Sequence, residues 1–345
     1  MRRTLLGLVM AAALAASGLA APADAQAAPS CQDEFVPVQL DLLLPAQVYG
    51  RLCEPATGPV DRVQLLVHGA TYDSRYWDPA YGDGEFSFSL RANADGWATL
   101  AIDRVGYGRS TAVPSVTLTG ISQALTVHQI IAALRAGTVG GHAFAKVLLN
   151  AHSVGAGIAL LETATYHDAD ALALSGIGHD LSPTQLTQIF VDDLRPTLLD
   201  PNPAVSSRYD VGYLTTTPGT RGGLFYGPNP DPGLVAYDEQ TKGAISATEA
   251  ADVIATGFTL PTSLADTLPT YLVDGADDQI WCAGLLSENC ASSATLRADE
   301  APFYANAKSF TAVIQPDAGH DLNFASNSAD YERALNSWAD ATVGS

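Results

Sequence analysis

The sequence predicts an α/β protein: a mostly parallel central sheet with helices on both faces, interrupted by one inserted segment. Three observations carry this. Short apolar runs of strand length recur along the 345 residues, stretches with helical spacing separate several of them, and one Pro- and Gly-rich block breaks the alternation. With 47% hydrophobic and 16% charged residues the chain is too apolar for disorder and long enough for a large core plus an insert. Its 17 Lys+Arg against 37 Asp+Glu give a formal charge of -20, which repels phosphate backbones and anionic headgroups. Nucleic acid is therefore not an expected partner.

Residues 1–25 read as a signal peptide. Arg2 and Arg3 precede an apolar run from Leu5 to Ala20, and Ala23-Asp24-Ala25 is a small-x-small cleavage site. Ser17 and Gly18 break the run, which falls short of the roughly 20 residues of a bilayer span, so no stable membrane anchor is expected. Removing Arg2, Arg3 and Asp24 leaves 15 basic and 36 acidic residues, a charge of -21 for a secreted chain. The four cysteines, Cys31, Cys53, Cys282 and Cys290, can pair in an oxidising compartment in three ways. Sequential pairing is the economical one: Cys31 and Cys53 bracket two short strand-like runs, and Cys282 and Cys290 close a tight loop. No Cys/His cluster stands at metal-ligand spacing.

Strand-like runs lie at Val63 to Val67, Thr99 to Ile102, Val147 to Leu149, Ala171 to Leu174, Thr270 to Val273 and Phe310 to Ile314. Ile121, Leu125, Ile130, Ile131 and Leu134 fall on one helical stripe, and Ile158, Leu160 and Leu161 supply another. From His179 to Leu264 the rhythm stops. Pro201, Pro203, Pro218, Pro228, Pro230 and Pro232 punctuate this stretch, which reads as a cap of residues 179–264 between core segments 26–178 and 265–345. Its aromatics Phe190, Tyr209, Tyr213, Phe225, Tyr226 and Tyr237 suit either a covered pocket or the insert's own small core.

Chemistry concentrates where strands end. In VLLNAHSVGAG, Val147 to Gly157, an apolar strand runs into Ser153 and a helical stretch follows. A nucleophile on so sharp a turn needs small residues two positions away on either side, and Ala151 and Gly155 meet that need. Asp317-Ala318-Gly319-His320-Asp321 follows the last strand, so His320 can reach the carboxyl edge of the sheet as general base. The other histidines have blander readings: His128, His142 and His167 as surface residues on or beside helices, His152 packed beside the turn, His179 opening the insert, and His68 in a loop. Among the carboxylates of Val273-Asp274-Gly275-Ala276-Asp277-Asp278, Asp278 is preferred as the acid, since Gly275 makes the turn and a residue three further on can project back. Asp277 would point elsewhere and Asp274 lies nearer the strand. After Val63 to Val67, His68-Gly69-Ala70-Thr71 lets the backbone approach, so the N–H groups of Ala70 and Val154 can converge on one oxyanion, each worth about 3 to 4 kcal/mol of barrier.

These segments together resemble the α/β-hydrolase superfamily. The resemblance rests on LLVHGA at Leu65 to Ala70, DRVGYGRS at Asp103 to Ser110, AHSVG at Ala151 to Gly155, VDGADD at Val273 to Asp278 and AGHD at Ala318 to Asp321, five motifs in the family's order. It implies catalytic Ser153, Asp278 and His320, oxyanion donors Ala70 and Val154, and a cap after the sixth strand. The alanine at position 151 and the long Pro-rich insert depart from the pattern. A serine at the turn, rather than an aspartate, implies an acyl-enzyme. The expected activity is hydrolysis of a small to medium apolar ester or lactone, with no metal or organic cofactor. The alternatives are acyl transfer to another acceptor, as in an acyltransferase or perhydrolase, and a non-catalytic binding protein on the same fold.

Overall fold

The computed structural model describes residues 29–41, 44–260 and 262–344; residues 1–25, expected from the sequence to be a signal peptide, lie outside them. Eight strands form the main sheet: β1 (Ser30–Gln39), β2 (Pro45–Glu54), β3 (Arg62–Val67), β4 (Ala98–Ile102), β5 (Lys146–His152), β6 (Ala171–Ser175), β10 (Pro269–Gly275) and β11 (Ser309–Gln315). Their spatial order is β1-β2-β4-β3-β5-β6-β10-β11. The first two strands run antiparallel to their neighbours, and the six from β4 to β11 are mutually parallel. All six strand-like runs read from the sequence are strands of this sheet.

Both faces of the parallel strands are buried, which is why they read as continuous apolar runs rather than alternating ones. Leu65, Val67, Val147 and Leu149 point to one face, while Leu66 and Leu148 point to the other. On the first face pack α2 (Gly120–Ala136) and α3 (Val154–Tyr166) through Ile130, Leu134, Ile158 and Leu160. The second face is covered by α1 (Phe88–Ala94) and the C-terminal helix Ser328–Val343, through Ala92, Leu335 and Ala339. Two members of the predicted α2 stripe lie off the buried face. Ile121 is exposed and Leu125 half-buried while Ala124 and Val127 are buried instead, because Ile121 and Leu125, four residues apart, share the outer side of the helix.

Two disulfides pair sequentially, Cys31 with Cys53 and Cys282 with Cys290. The first joins residues directly opposite in the β1–β2 ladder, and the second closes the loop that follows β10. Between β6 and β10 the insert carries, besides short helices, a second sheet that the sequence reading did not resolve: β7 (Leu194–Pro196), β8 (Tyr213–Thr216) and β9 (Ile245–Ser246), all antiparallel. These strands have two to four residues, too few for a periodic signal. Among the described residues no helix is long and apolar enough to cross a membrane.

Candidate active site

Parallel strands place the loops after β3, β5, β10 and β11 at one carboxyl edge. Ser153 follows β5 directly, with φ 54° and ψ -122°, a conformation that costs a non-glycine residue about 1 to 3 kcal/mol. The fold holds it there. Its N–H donates to the Ser175 carbonyl at 2.8 Å, and its own carbonyl accepts from the Ala156 and Gly157 amides that open α3, at 2.8 and 3.1 Å. A Cβ at Gly155 would lie 2.5 Å from the His68 carbonyl oxygen and 2.6 Å from that of Val67, so no side chain fits two residues past the turn. A Cβ at Gly69 would lie 2.9 Å from that of Ser153, so the β3 loop approaches because Gly69 has none. Ala151, buried at the end of β5, occupies the other flank.

His320 is five residues past β11, with Nε2 2.9 Å from Ser153 Oγ and Nδ1 2.8 Å from Asp278 Oδ2. With the Nδ1 proton facing Asp278, Nε2 is left to accept from the serine hydroxyl. Asp278 Oδ1 accepts from the Ile280 and Trp281 amides at 2.7 and 3.1 Å, so both carboxylate oxygens are engaged. Burial disfavours a charged imidazole at His320. The charge and hydrogen bond of Asp278, with the charge of Asp321, outweigh it and raise the His320 pKa above its ordinary value. Asp274 is a different carboxyl: burial, then the charges of Asp278 and Glu288, push its pKa well up, and it accepts from the Ile177 amide at 3.0 Å. Asp277 is half-buried and makes no contact with His320. The amides of Ala70 and Val154 have no protein acceptor among the described residues, and both residues line the cavity in front of Ser153.

That cavity holds about 90 Å³ and is lined by Ser153, His320 and an apolar wall that includes Leu186, Phe190, Phe258 and Trp281. Of the six insert aromatics named from the sequence, Phe190 and Phe225 face it. Tyr213 and Tyr226 are instead buried elsewhere, and Tyr209 and Tyr237 pack at the insert's margins. The histidines expected at the surface fit that description only in part: the side chains of His128 and His142 are 33% and 28% exposed, and His167 is exposed. His179 is buried, with Nδ1 2.8 Å from Glu300 and Nε2 2.8 Å from Ser263.

A buried polar network behind the site escaped the sequence reading. Arg221 donates from Nε and Nη2 to Asp238 at 2.8 Å each, and from Nη1 to Thr71 Oγ1 at 2.9 Å, next to Ala70. The Tyr72 hydroxyl donates to Asp238 at 3.0 Å and also contacts Asp321, the residue after His320. Burial, then the charge of Asp238, raises the Asp321 pKa to about 7, against the pull of His320 and Arg221. From the other side Arg104 donates to the carbonyls of His68 and Gly69 and is paired with Glu249 of the insert. The insert thus grips the β3 loop through buried charge, and the His320 loop through the Phe225 carbonyl, which accepts from the Asp321 amide at 2.8 Å. The segments read from the sequence contain Thr71, Arg104 and Asp321, but none of them joins these residues to one another.

A sheet of this topology, with serine, histidine and aspartate side chains gathered at its carboxyl edge, defines the class of α/β hydrolases. A model described as the alpha/beta hydrolase family matches residues 64–334, and the chain belongs to that family. No curated protein matches the sequence. Among solved structures it is similar to a thermostable carboxyl esterase from Bacillus coagulans in complex with glycerol (16% identity, 91% of this chain and 99% of that one, TM-score 0.61). It is also similar to a malate-bound thermophilic esterase from Thermogutta terrifontis (16%, 90% and 99%, 0.59) and to a lipase in its open form (17%, 92% and 100%, 0.60).

Proposed function

We propose that this protein is an exported serine hydrolase that cleaves carboxylic esters, or lactones, of small apolar acids through an acyl-enzyme. The observation that carries the reading is the hydrogen-bonded series Ser153, His320, Asp278 opening onto an apolar cavity. His320 Nε2 takes the Ser153 proton as Oγ attacks the carbonyl carbon, and the Ala70 and Val154 amides stabilise the oxyanion. His320 then protonates the leaving alkoxide, and water attacks the acyl-enzyme by the same route in reverse order. Asp278 holds the imidazole in the productive tautomer. The esterases and lipase among the structural relatives support this chemistry, and the two disulfides and the sequence of residues 1–25 support export.

The cavity sets the size of the acid. At roughly 10 to 15 Å³ per water-sized group, 90 Å³ takes on the order of six to nine such groups, a short acyl chain or a small ring. Turnover of p-nitrophenyl esters is expected to peak near butyrate or hexanoate and to fall at laurate, and a fluorophosphonate probe is expected to label the wild type but not Ser153→Ala. Labelling and ester turnover that survive in Ser153→Ala would discard the reading.

A further inference from the structure

A second cluster lies on the helical layer, away from the cavity. His128 stands on α2, Glu162 on the last turns of α3, and Asp168 in the loop from α3 to β6. One nitrogen or oxygen from each lies within 4.8 Å of the others. Glu162 is 0% exposed and its carboxyl faces that of Asp168, with no N–H or O–H donor reaching either Glu162 oxygen or Asp168 Oδ1; burial, then the Asp168 carboxyl, raises the Glu162 pKa to about 9. Buried carboxyl oxygens are normally satisfied, and unpaired ones pointing at a common centre call for a cation or a proton between them. Helix spacing from Ser153 to Glu162, nine residues at 1.5 Å, puts the cluster roughly 13 Å along α3 from the nucleophile, outside the reaction.

The neighbours favour a cation. Tyr166 stacks on the His128 ring at 4.0 Å and 12°, fixing its plane, and His128 Nδ1 is 2.6 Å from Asp168 Oδ2. The nearby cation, Arg135, is committed elsewhere: it donates to the carbonyl of Asp168 and to the carboxylate of Asp170, not to the cluster's oxygens. The His128 and Asp168 side chains are 33% and 23% exposed, which leaves an entry route. One imidazole with two carboxylates is a donor set for Zn²⁺ or Mn²⁺ rather than Ca²⁺, which prefers oxygen alone. Tetrahedral bonds of about 2.1 Å put ligand atoms roughly 3.4 Å apart, so donor atoms up to 4.8 Å apart must draw together by side-chain rotation of about an ångström or more to hold an ion.

We propose that His128, Glu162 and Asp168 form a divalent-metal site, for Zn²⁺ or Mn²⁺, that ties α2 and α3 to the loop entering β6. The metal stabilises the fold and takes no part in ester cleavage. The test uses the tag-free full chain, stripped with chelator and titrated with ZnCl₂ or MnCl₂ by calorimetry, with metal content and thermal unfolding measured in parallel. The expected result is one equivalent bound with a dissociation constant on the order of micromolar or tighter, and a Tm raised by a few degrees. Both effects should weaken at least about 100-fold in affinity in Glu162→Gln and in His128→Gln. The second variant changes a partly exposed side chain, so it reads binding even if the first folds poorly. Wild-type protein that takes up no stoichiometric metal, or uptake that is unchanged in His128→Gln, overturns the proposal; the first result assigns a shared proton to Glu162 and Asp168.

Discussion

Two histidines stand side by side at the carboxyl edge, and their fates differ. The rings of His320 and His152 are 4.8 Å apart, both are buried, and each faces a carboxylate, Asp278 at 2.8 Å and Asp321 at 3.3 Å. Yet the His320 pKa is raised, while burial and then the charge of His320 press that of His152 well below its ordinary value. Alignment separates them. His320 Nδ1 makes a hydrogen bond to Asp278, whereas His152 Nε2 and Asp321 Oδ1 are near each other without either finding a hydrogen-bond partner. His152 is instead stacked on Tyr76 at 4.4 Å and 12°. A carboxylate supports a buried charged imidazole most when a hydrogen bond is made between them, so His320 is fit to carry a proton and His152 serves as a neutral wall.

The largest effects should therefore fall on one side of this pair. Ser153→Ala and His320→Ala are each expected to lower kcat by about 10⁴ to 10⁶, whereas His152→Asn should cost about 10-fold or less. Steady-state kinetics on p-nitrophenyl butyrate check this, and comparable losses at both histidines would erase the distinction. Next come the two carboxylates. Asp278→Asn should lower kcat about 10³- to 10⁴-fold by favouring the wrong tautomer, and Asp321→Asn far less.

The pH profile sharpens the same comparison. A base must be neutral, so kcat/KM should rise with pH through the His320 pKa, with a midpoint above the unperturbed value of about 6.5. Asp278 and Asp321 both favour the charged ring, so replacing Asp321 with Asn should move that limb toward lower pH. A limb that moves upward, or stays in place, would show that Asp321 does not act on His320. The linked stability has the opposite sense: the raised His320 pKa stabilises the fold at low pH, and that contribution is lost as pH climbs through the folded-state value.

What the sequence disclosed follows how local each feature is. Ser153, His320, Asp278, Ala70 and Val154 sit at or just past strand ends within motifs of four to eleven residues, where the turn chemistry and the neighbours that justify each lie in one string. The Arg221, Asp238, Tyr72 and Asp321 network joins Tyr72 to Asp238 and Asp321, 166 and 249 residues away, a span no single motif covers. His128, Glu162 and Asp168 likewise converge only because α2 and α3 pack together. In the insert, strands of a few residues between prolines carry no period, so the block was readable as an interruption but not as a small sheet.

That network is the next largest effect, on stability rather than chemistry. Arg221→Ala leaves Asp238 buried without its bidentate partner and frees Thr71, so a loss of about 3 to 5 kcal/mol is expected by urea unfolding. If Arg221→Ala unfolds as the wild type does, the Arg221–Asp238 pair and the Arg221 bond to Thr71 do not hold the insert on the β3 loop.

The smallest change is expected at Asp274, four residues before Asp278 and as deeply buried. Burial, then the charges of Asp278 and Glu288, holds its pKa well above the ordinary carboxylate value, which favours its neutral form. Asparagine has the same shape, keeps the oxygen that accepts from the Ile177 amide, and places a donor where Oδ2 already lacks a partner. The sign follows from linkage. In the unfolded chain Asp274 ionises above about pH 4 and in the folded chain only far higher, so the folded wild type binds the extra proton and loses stability as pH rises. Asp274→Asn has no such slope. It should keep kcat within about threefold, match the wild type near pH 4 and become the more stable protein at higher pH, by up to about 1.4 kcal/mol per unit until the folded pKa is reached. Urea unfolding at pH 5 and pH 8 measures the difference, and a variant whose stability relative to wild type is the same at both pH values would mean that Asp274 is already charged in the fold.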